Sequence, residues 1–355
     1  MVFPLTSRVF GTLSDGGPVE AWTLRGSGGM LLEIITYGAA VTRLLVPDRH
    51  GRLTDVVLGF DNFDSYKTSR AYSGAIIGRV AGRTTGARFS LEGNTYELAR
   101  NDGLNHLHGG IEGFDKKVWS ACPIENSSGA ASLRLTYRSP DGEEGYPGNV
   151  DVAVLYTVTA DNVLLIETEA VSDRPTPFGL TQHPYFNLAG EAAGSISDHE
   201  LKIHSDEFVL TDERMTLLGR MKSVTGQEND FRHLRSLGDA IPALYQNHGD
   251  LYLIRRTEQS SAESKPVPAA RLVHPNSGRV LELSTTESYL QLYTGTGLDG
   301  LLAGKSGIYY GRHAGVCLEC EGYPDGANSP SLGDNILRPG KPRREITTYS
   351  FSTLR

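Results

Sequence analysis

Apolar and polar residues alternate along most of this chain in short runs rich in Val, Ile, Leu, Thr and Tyr. Alternation with period two is the pattern of a strand with one buried face, whereas a helical stripe repeats every three to four residues. Residues 150–171, VDVAVLYTVTADNVLLIETEAV, are the clearest case. Two β-rich runs surround Thr159-Ala160-Asp161-Asn162, which predicts a hairpin. Residues 31–46, LLEIITYGAAVTRLLV, lead into a turn at PDRHGR and then into DVVLGF. No long segment shows helical periodicity with caps. The polar, Ser/Pro-rich stretch 256–270 predicts an exposed loop between strands, with the strand rhythm resuming at Arg271. The 41 glycines fit many tight turns, and no internal repeat supports a propeller. The expected fold is all-β, a large antiparallel β-sandwich, with residues 1–355 as one domain.

Composition narrows the partners. At 355 residues the chain is within the range of a large single β-sandwich. A formal charge of −8, with both signs mixed along the chain, offers no basic face for nucleic acid or an anionic membrane. The opening MVFPLTSRVF has no apolar run of a secretory leader, and no stretch has the apolar length to span a bilayer, so a soluble cytoplasmic protein is expected. Three cysteines, Cys122, Cys317 and Cys320, are too few and too odd in number for a disulfide framework. Cys317 and Cys320 form C-x-x-C, but on a strand they point to opposite faces, and zinc would need a second pair. Core packing is the expected role of Cys320.

Four stretches carry candidate chemistry. IIGRVAGRT at 76–84 brackets Arg79 and Arg83, whose guanidinium forks suit carboxylates, phosphates or vicinal hydroxyls. GLNHLHGGIEGF at 103–114 places His106 and His108 on one face if it is a strand, the geometry a metal would want, with Glu112 nearby. TQHPYFNLAG at 181–190 holds His183 ahead of Pro184, which biases it toward an extended or turn conformation, and of aromatic residues able to face a ligand. AGVCLECEGYPDGAN at 314–328 puts Cys317, Glu319 and Glu321 on one strand face and Val316, Leu318 and Cys320 on the other. A carboxyl inside such a strand is either solvated on an outer face or raised toward neutrality by desolvation, as a general base requires.

Taken in order, these stretches resemble the aldose 1-epimerase (galactose mutarotase) family. The blocks are GRVAGR at 78–83, NHLHGG at 105–110, HPYFNLAG at 183–190 and CLECEGYPDGANSP at 317–330, with QLYTGTGLDG at 291–300 as a fifth and ILRPGKPRREITTYSF as a closing strand. The resemblance implies a mutarotase-like supersandwich with an open sugar cleft. It also implies interconversion of the α and β anomers of free aldoses such as glucose and galactose, with no cofactor and no metal. By the family pattern Glu319 is the general base at the C1 hydroxyl and His183 the general acid at the ring oxygen. His108 and Arg83 would hold the sugar, Gln291 and Asp250 would fix hydroxyls, and Asn105 is a further binding candidate. His106 is expected to be supporting structure, and Glu112 drops out as a ligand.

The chain departs from the pattern at Gly82, where the family often has Asn, and at GDLYLI (249–254), where only Asp250 of a D-H-N block carries over. Asp230 in NDFR matches a family element read as structural. Other readings are a hexose-phosphate epimerase of the same fold, a glycoside hydrolase using Asp250 and Glu319, a non-catalytic sugar-binding protein, and a metal-dependent cupin-like protein built on H-x-H. The expected partner is a small sugar, and the expected assembly a monomer or weak homodimer.

Overall fold

The computed structural model describes residues 5–124, 130–244, 249–256 and 265–354. Val150–Val158 and Val163–Ser172 form the expected hairpin, in register from Val150↔Ser172 to Val158↔Leu164. At its turn Asn162 takes φ +58°, and the Thr159 N–H donates to the Val163 carbonyl at 3.0 Å. Asn tolerates this left-handed conformation because its short amide can bond locally.

That hairpin lies within a nine-stranded antiparallel sheet. Its order is Ser120–Ile124, Ala131–Ser139, Val150–Val158, Val163–Ser172, Arg343–Thr353, Arg279–Thr285, Val267–Val273, Glu200–Ile203 and Arg235–Ser236. The last strand of the chain is thus the middle strand of the sheet. A five-stranded meander of residues 6–55 and a second five-stranded sheet complete the sandwich. The second runs Leu217–Ser223, Ser205–Thr211, Asp250–Ile254, Tyr289–Tyr293 and Cys317–Glu321. One core cluster joins all three. Leu135, Val154, Ile166 and Leu283 of the large sheet pack with Leu32, Ile34 and Leu44 of the meander and with Leu290, Leu292, Leu318 and Cys320 of the second sheet. Such burial contributes about 25 cal/mol per Å² of apolar surface.

Residues 31–46 are two strands rather than one run, Leu31–Ile35 and Ala40–Pro47, because Gly38 (φ +67°) and Ala39 (φ +48°) turn the chain between them. Two short helices, Phe63–Thr68 and Leu237–Leu244, are too brief for the 3.6-residue period to register in the sequence. The first is capped by Asn62, whose side chain accepts from the Ser65 N–H at 2.9 Å. Of the loop expected at 256–270, residues 257–264 lie outside the described residues, and Val267–Val273 is already strand. Among the described residues no helix is long and apolar enough to cross a membrane.

Arg79 and Arg83, adjacent in one motif, have separate fates. Arg79 is only 2% exposed and is a structural clamp. Its guanidinium donates to Ser139 Oγ and to the carbonyls of Pro140, Pro147 and Gly148, tying the loop 140–148 to the strand ends around it. Arg79→Met should therefore destabilise the fold by roughly 3–5 kcal/mol, since several buried acceptors lose their donor at once. Chemical denaturation followed by tryptophan fluorescence measures this, and a change below about 1 kcal/mol would contradict the clamp.

Candidate active site

The outer face of the second five-stranded sheet carries the site. Gln291 stands directly opposite Glu319 in the register of Tyr289–Tyr293 against Cys317–Glu321, so the two side chains share a face. The other face, through Leu290, Leu292, Leu318 and Cys320, is core. Every residue of Cys317–Glu321 is buried, so Glu319 is not on a solvated outer face. Cys320 packs in the core as expected, and all three cysteines are unpaired.

His183 arrives from the short strand Thr181–Gln182, anchored by its own N–H on the Ala75 carbonyl (3.0 Å) and by its carbonyl on the Gly74 N–H (2.8 Å). The ring lies against Tyr72, Tyr185 and Tyr293, with centroids 5.9, 5.1 and 6.4 Å away. Cys317 Sγ lies 3.5 Å from Nδ1, leaving Nε2 to face Glu319 Oε1 at 3.5 Å.

His106 and His108 do not share a strand face. The strand ends at His106–Leu107, and His108 turns out of it with φ +54°. Its N–H donates to the Gly82 carbonyl (2.9 Å), and its Nδ1 accepts from the Gly82 N–H (3.2 Å). Gly109 packs its backbone closely: a Cβ there would sit 1.9 Å from the Gly78 carbonyl oxygen. His106 is wholly buried, its Nδ1 2.8 Å from the Ala99 carbonyl and its ring edge-on to Tyr146. Glu112 is exposed, and its N–H bonds the Glu144 carboxylate.

Arg83, Gln291, His108, His183 and Glu319 meet around one hollow of ≈ 190 Å³, together with Arg70, Tyr72, Tyr185, Tyr293 and Glu321. Arg83 Nε is fixed by Asp102 at 2.7 Å. Two expected contacts are elsewhere. Asp250 pairs in register with Leu292, on the opposite sheet face from Gln291 and Glu319, and does not line the hollow. A one-residue step along a strand reverses the face, which the sequence could not resolve at this strand's start. Asn105 is fully buried away from the hollow, its amide accepting from the Gly86 N–H and donating to the Arg214 carbonyl, each at 3.3 Å. Asp230 forms an ion pair with Arg232 at 2.7 Å, in keeping with a structural role. Glu321 was legible as a neighbour of Glu319 by period two but not as a site residue. Arg70 and Tyr72 carried no sequence signal.

Burial sets the protonation of the site. Glu319, 2% exposed, is pushed up to about 8 by desolvation, with Arg83 pulling it back. Glu321 is raised well above the usual carboxylate range by burial and by Glu319. Desolvation pulls His183 down to about 4 and His108 well below the ordinary imidazole value. His108, His183 and Glu319 bring three possible donor atoms within 4.8 Å of one another, which reopens the metal question. The His108 hydrogen bond bears on it. With Nδ1 accepting from the Gly82 N–H, the tautomer that this bond favours carries its proton on Nε2 and donates there.

The fold is an antiparallel sandwich whose polar hollow of ≈ 190 Å³ surrounds a carboxyl–imidazole pair. The aldose 1-epimerase family profile matches residues 20–350. Galactose mutarotase of Bos taurus is 42% identical over 349 residues, covering 98% of each chain, and aldose 1-epimerase of Escherichia coli K12 is 33% identical over 344 residues, covering 95% of this chain and 96% of that one. Among solved structures, an aldose epimerase homologue from C. elegans superposes with a TM-score of 0.86 at 27% identity, covering 94% of this chain and 98% of that one. Galactose 1-epimerase of Lactobacillus acidophilus gives 0.84 at 27% identity, covering 99% of this chain and 100% of that one. The chain belongs to the aldose 1-epimerase family.

The two histidines of the LHGG segment should separate experimentally. His106→Ala removes a buried ring and its hydrogen bond and should cost about 2–4 kcal/mol of stability while turnover of the folded protein changes less than twofold. His108→Ala should leave stability within about 1 kcal/mol and lower activity at least about a hundredfold. Parallel denaturation and turnover measurements test the split, which fails if both variants lose activity equally.

Proposed function

We propose that this protein is an isomerase, an aldose 1-epimerase that interconverts the α and β anomers of free aldoses such as glucose and galactose. The observation that carries the reading is the buried Glu319–His183 pair, 3.5 Å apart on the wall of a hollow sized for one sugar ring. Mutarotation needs an acid and a base on two oxygens of one hemiacetal, and this pair holds one proton between a carboxyl and an imidazole. Burial alone favours that proton on Glu319. Sugar hydroxyls donating into the carboxylate, with Arg83 beside it, favour moving it to His183 as substrate enters.

Glu319 then takes the proton of the C1 hydroxyl while His183 Nε2 gives one to the ring oxygen. The C1–O5 bond breaks, the open aldehyde rotates about C1–C2, and the ring closes with the two roles exchanged. No atom is gained or lost. The Nε2–H of His108 and the guanidinium of Arg83 donate to sugar oxygens, and Gln291 orients a hydroxyl. Positioned proton transfer of this kind contributes about 10²–10⁴-fold. A cytoplasmic setting, supported by three unpaired thiols, belongs to the same proposal, as does a monomer or weak homodimer.

The other readings fit less well. A phosphorylated sugar would set a dianion beside Glu319 and Glu321, with Arg83 already paired to Asp102 and Arg70 left to face it. A hydrolase built on Asp250 and Glu319 would have its carboxyls on opposite faces of one sheet. A binding protein without chemistry has no need of a desolvated acid–base pair.

The test is the optical rotation of fresh α-glucose and α-galactose, corrected for spontaneous equilibration. The wild type should speed equilibration, and Glu319→Gln and His183→Asn should each lower kcat by about 10²–10⁴-fold. An inactive wild type or an unimpaired Glu319→Gln rejects the assignment. The pH dependence should be bell-shaped. Below about 4 the imidazole gains a proton while the carboxyl keeps its own, and no base is left. Above about 8 the carboxyl loses its proton beside a neutral imidazole, and no acid is left. The two limbs belong to the pair, and a flat profile of kcat/KM between pH 4 and pH 9 would contradict the shared proton.

A further inference from the structure

Glu321 lines the catalytic hollow and takes no part in the exchange described above. Period two puts it on the strand face of Glu319, and in register it stands opposite Tyr289 as Glu319 stands opposite Gln291. It is 2% exposed, and its carboxyl makes no hydrogen bond or ion pair with any described residue. The Tyr289 hydroxyl, its neighbour across the strands, is already given to the Leu332 carbonyl at 2.6 Å. Gly82 leaves the space beside Oε1 open, since a Cβ there would stand only 3.2 Å from it. A buried carboxyl left without partners costs stability that an apolar side chain of similar volume would not. Glu319 has the same orphaned Oε2, and its missing partner in the exchange is the substrate. Both side chains line one hollow, so a single ligand can complete both. Glu321 also lacks a counter-ion of its own, because the nearby Arg83 is bonded to Asp102, and burial together with Glu319 favours its uncharged form. An uncharged carboxyl offers one O–H donor and one carbonyl acceptor, which matches the two roles of a sugar hydroxyl.

We propose that Glu321 is a substrate-binding residue, an uncharged carboxyl that hydrogen-bonds one sugar hydroxyl other than that at C1 and so selects for aldoses that carry it. The inference rests on the anomer-exchange reading above, in which Glu319 meets the C1 hydroxyl. Two residues along a strand span about 6.6 Å, so Glu321 reaches a different oxygen of the same ring. Glu321 neither takes a proton from the sugar nor gives one up, and the exchange between Glu319 and His183 is unaltered. A site built to pair a hydroxyl discriminates against the analogue lacking it, because the buried carboxyl then stays unpartnered.

The test pairs two variants, Glu321→Leu and Glu321→Gln, with a set of deoxy sugars. The optical rotation of freshly dissolved glucose and of 2-deoxy-, 3-deoxy-, 4-deoxy- and 6-deoxyglucose is followed, with the spontaneous rate of each sugar subtracted. For the wild type, loss of one of these hydroxyls should lower kcat/KM about tenfold or more. Glu321→Leu should lower kcat/KM for glucose by a similar factor, but for that one deoxy sugar by less than about threefold. Glu321→Gln, which offers a donor and an acceptor without charge, should recover most of what Glu321→Leu loses on glucose. The urea midpoint of Glu321→Leu should equal or exceed that of the wild type, because leucine needs no partner. If Glu321→Leu lowers every sugar by one common factor, or if its midpoint falls, Glu321 supports the site without touching the sugar; the proposal is overturned and the function stands. Unimpaired turnover of glucose by Glu321→Leu overturns it too. If Glu321→Gln is as poor as Glu321→Leu, the group works as a charged carboxylate and the uncharged contact is rejected. If the wild type leaves even glucose at its spontaneous rate, the functional reading fails and this inference fails with it.

Discussion

A carboxyl and an imidazole set side by side in a desolvated place set the terms for the rest of the structure. Placing a charge inside a protein without partners costs several kcal/mol, so burial drives both groups toward their neutral forms. This is why Glu319 is raised and His183 lowered, although 3.5 Å of separation would otherwise favour an ion pair. Glu319 Oε2 has no hydrogen-bond partner among the described residues, so the carboxyl keeps acceptor capacity that a ligand's donors could fill.

The scaffold makes that burial possible from both sides of one strand. Below Cys317–Glu321, Leu318 and Cys320 belong to the core shared by all three sheets. Above it, rings at 72, 185 and 293 close around His183. The donors come from distant segments that need independent anchoring. Arg83 is held by Asp102, and His108 by two bonds to the backbone of Gly82. Gly82 takes φ +72°, and a Cβ there would come within 2.5 Å of Pro324. Gly82 thus fits a tight approach between the arginine segment and the chain after Glu321. Glu321 Oε1 lies 3.2 Å from where that Cβ would stand, so a carboxyl lies against this position as well.

What could be read from the chain follows from what is local. Period-two alternation depends only on neighbours, so it identified the 150–171 hairpin and the paired faces of Cys317–Glu321. Ordered motif blocks identified Glu319, His183, His108, Arg83 and Gln291, which the fold brings to one hollow. The motif that contained both Arg79 and Arg83 could not say which would be a buried clamp. That depends on carbonyls from 140, 147 and 148.

The sequence by itself determined the β class, the family and the types of group available for proton transfer, because periodicity and motif order are properties of the chain alone. Only the tertiary structure decided where those groups face and how they ionise. Strand register turned Asp250 to the core side and Gln291 to the site. Backbone turning at His108 separated it from His106. Packing removed water from Glu319 and His183. Each of these depends on contacts between segments far apart in the chain, and desolvation, the largest influence on the pair, exists only once those segments have met.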